Sequence, residues 1–255
     1  MMPENTFSNP VDEEIYSYLN LDNPKSFFLF AGAGSGKTRS LVEVLKEFRH
    51  KNILQLKKSA QKVAVITYTN AACNEIKSRL DFDSAFHVST IHSFAWELIN
   101  PYINDIRNWL HDSLNAEIAD LIEQQSKGRP GTKASVDRVS KIESKQIRRE
   151  SLNHIKKFTY NPNGDNIDRD SLSHTEVINI TADFIKNKPL MQSILVRKYP
   201  ILLIDESQDT NKELIDAFFE LQDKKSTCFS LGMFGDTMQR IFTDGKLNLE
   251  QEIPA

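Results

Sequence analysis

The chain has 255 residues, room for one large domain or one domain with an insertion. Its 39% hydrophobic and 26% charged residues are a globular composition and exclude a wholly disordered chain. Lys and Arg number 32 against 35 Asp and Glu, a net charge of −3, so any nucleic-acid surface has to be a local patch. The two cysteines, Cys73 and Cys228, are far apart and lack metal-type neighbours, which speaks against a disulfide framework or a zinc site and fits a reducing compartment. No apolar run approaches the roughly 18 residues that span a bilayer. The start, MMPENTFSNPVDEE, is too acidic and polar for a signal peptide. The expectation is a cytoplasmic chain without a membrane partner.

In chain order, the apolar run 27–31, bounded by Pro24 and Gly32, reads as a buried strand. A glycine-rich turn follows, then Leu41, Val42, Val44, Leu45 and Phe48 at helical spacing. Val63–Ile66 predicts a second strand with a helix over 70–80, and Phe86–Ser89 a third with a helix over 92–99. From 101 to 188 strand-like runs vanish and helical periodicity dominates, interrupted by loops at 127–133 and 161–165. Ile201–Ile204 predicts a strand, 212–221 a helix and 228–231 another strand. Repeated strand-then-helix units imply an α/β fold with a parallel sheet. The expected domains are 1–100 with 189–255, and a helical insertion over 101–188.

Residues 31–38 read AGAGSGKT, one small residue away from the phosphate-loop pattern G-x-x-x-x-G-K-[ST]. Gly32, Gly34 and Gly36, with Ala33 and Ser35 between them, let backbone N–H groups turn inward toward phosphate oxygens. The helix starting near Lys37 aims its positive end the same way. Lys37 offers a charge to the β- and γ-phosphates and Thr38 a hydroxyl to Mg²⁺. A second element, Ile201-Leu-Leu-Ile-Asp205-Glu206-Ser-Gln-Asp209, is an apolar strand ending in carboxylates. A strand tip would deliver Asp205 to the sheet edge where nucleotides bind, to hold Mg²⁺, with Glu206 as a base for water. Taken alone, the same acids also read as a helix cap, with Asp209 or Thr210 at the N-cap.

Four further stretches occur in order: Val65-Ile-Thr-Tyr-Thr-Asn70 before Ala71-Ala72, Val88-Ser-Thr-Ile-His-Ser-Phe94, the Asp-Glu-Ser-Gln-Asp run, and Phe234-Gly-Asp-Thr-Met-Gln-Arg-Ile-Phe242. Together with the phosphate loop they resemble the first RecA-like half of UvrD/Rep-type superfamily 1 DNA helicases. The resemblance implies a P-loop NTPase fold using ATP and Mg²⁺, with Thr38 and Asp205 at the metal, Glu206 activating water, and Arg39 near the base or ribose. It implies that Gln239 senses the γ-phosphate. Tyr68, Thr69, Asn70, Thr90, His92, Ser93 and Phe242 would face single-stranded DNA, with Tyr68 stacking on a base for about 1–3 kcal/mol. Without that context, Tyr68 reads as core and His92 as a helix-start residue.

The chain departs from the family at three places. Ala71 replaces a customary Lys, Asp12, Glu13 and Glu14 stand where an adenine-reading Gln is usual, and Thr243-Asp-Gly-Lys246 replaces an aromatic-Arg-Gly element. Residues 127–157 hold ten Lys or Arg, including Arg148 and Arg149, against three acids, a local net of +7. Such a run is usually a solvated helix face. In this family the corresponding insertion lies beside DNA, which implies phosphate contacts.

The resulting expectation is a helicase half that couples ATP hydrolysis to 3′-to-5′ translocation on single-stranded DNA and is incomplete without a second RecA-like half. Two alternatives stand beside it. One is a helicase-like ATPase that switches a partner nuclease in phage defence. The other is a non-catalytic nucleotide- or DNA-binding module.

Overall fold

The structure, a computed structural model, describes residues 9–32, 34–207 and 210–236. Its centre is a five-stranded sheet of β1 (Phe27–Phe30), β2 (Val63–Thr67), β3 (Phe86–Thr90), β4 (Ile201–Asp205) and β5 (Ser230–Gly235). The spatial order is β1-β5-β4-β2-β3, and every pairing is parallel. The α/β class with a parallel sheet is the expected one. All residues of β2 and β4 are buried, as central strands with helices on both faces require.

The helices are α1 (Pro10–Tyr18), α2 (Lys37–Lys58), α3 (Asn70–Arg79), α4 (Ile91–Ile99), α5 (Ile103–Lys127), α6 (Lys133–Ser151), α7 (His174–Asn187), α8 (Pro189–Lys198) and α9 (Lys212–Lys225). α2 buries Leu41, Val42, Val44, Leu45, Phe48 and Leu56 into a core that also holds Ile15 of α1, Ile76 of α3, Leu203 and Phe234. The sequence reading has no counterpart to α1. Asn9 caps it by accepting from the Val11 amide at 3.1 Å, and Pro10 supplies the fixed φ of a first helical residue.

The chain divides into two compact units: the described residues up to Ala95 with those from Thr181 on, and Trp96–Ile180. The first contains the sheet. In the second, α5 buries Ile106, Leu110, Leu114 and Ile118 at four-residue spacing. Thr132 caps α6 by accepting from the Ser135 amide at 3.2 Å. Arg107 ties the turn after α6 to α5, donating to the carbonyls of Leu152 at 3.0 Å and Ile155 at 2.7 Å. Among the described residues no helix is long and apolar enough to cross a membrane.

Two local expectations are corrected. The last strand is Ser230–Gly235 and not 228–231, because Gly232 is a packing requirement and not a break. A Cβ there would lie 2.5 Å from the Phe27 ring and 2.6 Å from Leu203 Cδ2, so the missing side chain lets both neighbours close over the strand. The cap of α9 is Asn211, accepting from the Leu214 amide at 3.3 Å, and not Thr210, which is buried; Asp209 lies outside the described residues.

Gly232→Ala should therefore destabilise the sheet unit by about 1–3 kcal/mol through overpacking. A urea denaturation midpoint unchanged from the parent chain would contradict this account.

Candidate functional site

β1 ends at Phe30 and the phosphate loop follows, running into α2. Gly34 (φ 73°) and Gly36 (φ 90°) are both left-handed, a backbone that costs glycine little and other residues more. The Ser35 amide donates to the Gly32 carbonyl at 3.2 Å, closing the turn. Ala33 lies outside the described residues. α2 has no side-chain cap and no acid in its first turn, so its positive end is uncompensated and open to an anion. Lys37 is buried, and its Nζ donates to the carbonyls of Ala31 at 2.8 Å and Gly32 at 3.3 Å. Thr38 is half-buried and Arg39 exposed.

The carboxylates come from β4. This strand is not the neighbour of β1, because β5 lies between them. Thr38 Oγ1 nevertheless donates to Asp205 Oδ2 at 3.4 Å, across 167 residues of sequence. Asp205 also accepts from the Glu206 amide, at 3.1 Å, and is buried. Burial, together with the neighbouring Glu206 charge, pushes the Asp205 carboxyl up to about 6, against the opposing pull of the Glu206 amide, the Thr38 hydroxyl and Lys37. Glu206 has φ 53°, a strained conformation for a residue with a Cβ, of the kind found where a side chain must be aimed. A hydroxyl and an under-compensated carboxylate are hard oxygen donors and suit Mg²⁺, which completes its shell with water and phosphate. Among the described residues no group of three or more His, Cys, Asp or Glu is placed to hold a metal ion.

The remaining candidates leave the same edge farther along. Thr67 of β2 pairs with Thr90 of β3, so the chain segments after the two strands start side by side. Tyr68 is half-buried there. Thr69 Oγ1 accepts from the Ala72 amide at 3.1 Å and caps α3, whose first residue is the exposed Asn70. Thr90 is buried; its Oγ1 donates to Ser93 Oγ at 3.0 Å and accepts from the Ser93 amide at 3.3 Å, with half-buried His92 between them. Thr69, Thr90 and Ser93 thus have helix-start work of their own. Gln239 and Phe242 lie outside the described residues; the strand before them, β5, ends at Gly235 and is followed by buried Asp236.

In the helical unit the basic run is less available than its count implies. Arg148 Nη1 pairs with Glu176 at 2.8 Å, Arg149 Nη1 donates to Asn115 Oδ1 at 2.9 Å, and Lys145 pairs with Glu117. Arg148 and Arg149 are therefore engaged within the unit. Arg129, Lys133, Lys141, Lys156 and Lys157 are exposed and pair with no acid among the described residues.

The sequence profile of the UvrD/REP helicase N-terminal domain matches residues 18–243. The chain belongs to this family. The parallel sheet described above is accordingly its RecA-like fold. The chain is 28% identical to the Gabija protein GajB of Bacillus cereus strain HuB5-5, over 89% of this chain and 42% of that protein. It is 27% identical to the Gabija protein GajB of Bacillus cereus strain VD045, over 83% and 37%. It is 25% identical to the ATP-dependent DNA helicase Rep of Buchnera aphidicola subsp. Schizaphis graminum, over 84% and 35%. The chain thus spans less than half the length of each of these relatives.

The raised Asp205 carboxyl gives a signed expectation. An aspartate in the unfolded chain titrates near 3.8 and the native one near 6, so between those values the native state binds more protons. Stability falls as pH rises through that window and stays lower above it, by about 3 kcal/mol. Without Mg²⁺, Asp205→Asn should be the more stable protein at pH 7.5, with the difference gone below about pH 4. Paired denaturant titrations at the two pH values measure it; a pH-independent difference would mean that the buried charge is not the cause.

Proposed function

We propose that the chain is the ATP-binding first half of a UvrD-like DNA helicase motor, coupling ATP hydrolysis to 3′-to-5′ movement along single-stranded DNA. The observation that carries the reading is the Thr38–Asp205 hydrogen bond, which joins the phosphate loop to the carboxylate strand on the edge that also bears Tyr68 and Thr90. Gly32 to Gly36 and the open end of α2 cradle the phosphates. Lys37 exchanges the carbonyls of Ala31 and Gly32 for β- and γ-phosphate oxygens. Thr38 and Asp205 hold Mg²⁺, which when bound neutralises phosphate charge. Glu206 orients the attacking water and accepts its proton. Arg39 lies by the base or ribose, and Gln239 reports the state of the γ-phosphate to the DNA side. Tyr68, Thr69, Asn70, Thr90, His92, Ser93 and Phe242 form that side.

The reading includes a second RecA-like half, in the same polypeptide or another, that closes over ATP. In related phosphoryl-transfer enzymes an arginine supplied in this way raises the rate by about 10³–10⁵. A second reading, an ATPase that switches a partner nuclease in phage defence, is supported by the likeness to two Gabija proteins. Strand separation of a forked duplex supports the first reading. ATP-dependent activation of a co-encoded nuclease without strand separation supports the second.

Lys37→Ala should weaken Mg-ATP binding severely in calorimetry while the thermal melt is retained. Glu206→Gln should keep ATP affinity and lose about 10²–10⁴-fold in DNA-stimulated turnover. Turnover by the Gln variant at the parent rate would place the base elsewhere.

A further inference from the structure

The helical unit carries an aromatic cluster that none of the roles above uses. Tyr160 lies between Trp96, with ring centroids 5.8 Å apart and planes at 54°, and His174, at 5.4 Å and 86°. No pair in the cluster is stacked face to face. Trp96 and Tyr160 are half-buried and His174 is exposed, so each of the three residues keeps some solvent-accessible surface. The Tyr160 hydroxyl shares a hydrogen bond with His174 Nδ1 at 2.6 Å, which fixes its ring. Two exposed cations with no acid partner among the described residues, Lys156 and Lys157, stand four and three residues before Tyr160 in the run Lys156-Lys157-Phe158-Thr159-Tyr160. Phe158 is buried and anchors that run to the unit.

We infer that Trp96, Tyr160 and His174 form a stacking platform for bases of single-stranded DNA, with Lys156 and Lys157 holding the adjacent phosphates. The inference rests on the reading of the chain as a single-strand DNA motor and adds a contact surface to it. Aromatic residues at a surface that also carries exposed lysines are what an unpaired strand recognises, since every base has a π-face and every linkage a charge. A duplex keeps its bases stacked on one another and offers the platform only phosphates. Burial pushes the Tyr160 phenol up to about 12, so the ring stays neutral and does not repel the strand.

The test uses the whole chain and a fluorescent 20-nucleotide dT strand. Trp96→Ala and Tyr160→Ala should each weaken binding about 5- to 150-fold. Tyr160→Phe, which keeps the ring, should stay within about twofold of the parent. Lys156→Ala with Lys157→Ala should flatten the log–log salt slope by about 0.7 per lysine. Because the chain has only two tryptophans, Trp109→Phe leaves Trp96 as the sole emitter without disturbing the platform. Its fluorescence should be quenched by the dT strand and not by a blunt duplex, a readout that holds even if the alanine variants misfold. Parent-like affinity in folded alanine variants, or equal quenching by duplex, overturns the platform and leaves the motor reading standing. Absence of any dT binding by the parent chain overturns both.

Discussion

Parallel strands cannot be joined by tight turns; each return needs a crossover of a dozen or more residues. In this chain helices α2, α3 and α9 make such returns between strands, and all five strands point the same way. The C-terminal ends therefore open on one edge, and that edge collects the phosphate loop, Asp236, Asp205 with Glu206, Tyr68 and the Thr90–Ser93 stretch in the order of the sheet. The candidate phosphate and carboxylate residues and the candidate DNA contacts become neighbours through strand order alone, although Thr38 and Asp205 are 167 residues apart in sequence. β5 sits between the loop strand and the carboxylate strand, so Asp236 at its end lies between the two strands that carry the candidate site.

The charges at this edge rest on neutral or incomplete partners that a ligand would replace. Lys37 satisfies itself on two carbonyls of its own loop, and Asp205 is buried with too little nearby positive charge to offset its desolvation. A phosphate with its cation supplies what each group lacks: an anion for the ammonium and the helix end, and a cation for the carboxylate. The left-handed Glu206 holds its strained backbone directly beyond Asp205, which ties the residue proposed to handle water to the residue proposed to handle the metal.

The sheet was legible in the sequence because its strands are short apolar runs followed by helical periodicity, and β2 and β4 are buried throughout. The end of β5 was not, because Gly232 looks like a break until Phe27 and Leu203 are seen closing over it. α1 is legible only from its start, Asn9-Pro10 followed by Asp12 and Glu13, because its nine residues are too few to show a sustained helical period. The phosphate loop and Asp205 could be named from spacing and strand position. Glu206 could be named in the same way, but its left-handed backbone could not, since a positive φ leaves no mark in composition. The Trp96, Tyr160 and His174 cluster was equally invisible, because its members come from three separate segments.

Charge in the helical unit shows why a residue count alone overstates a binding surface. A net of +7 over 127–157 suggests a strong field, yet much of the opposite charge is supplied from outside that window, by Glu117, Glu123 and Glu176. α6 buries only Ser135 among its own residues, so polar ties such as Arg148–Glu176 and Arg149–Asn115 hold it in place of an apolar face. To meet DNA phosphates those arginines would exchange these partners. The cations left over are few, with Lys156 and Lys157 the adjacent pair among them. A surface so placed gains more from ring faces than from additional charge, since stacking persists at salt concentrations that screen isolated lysines.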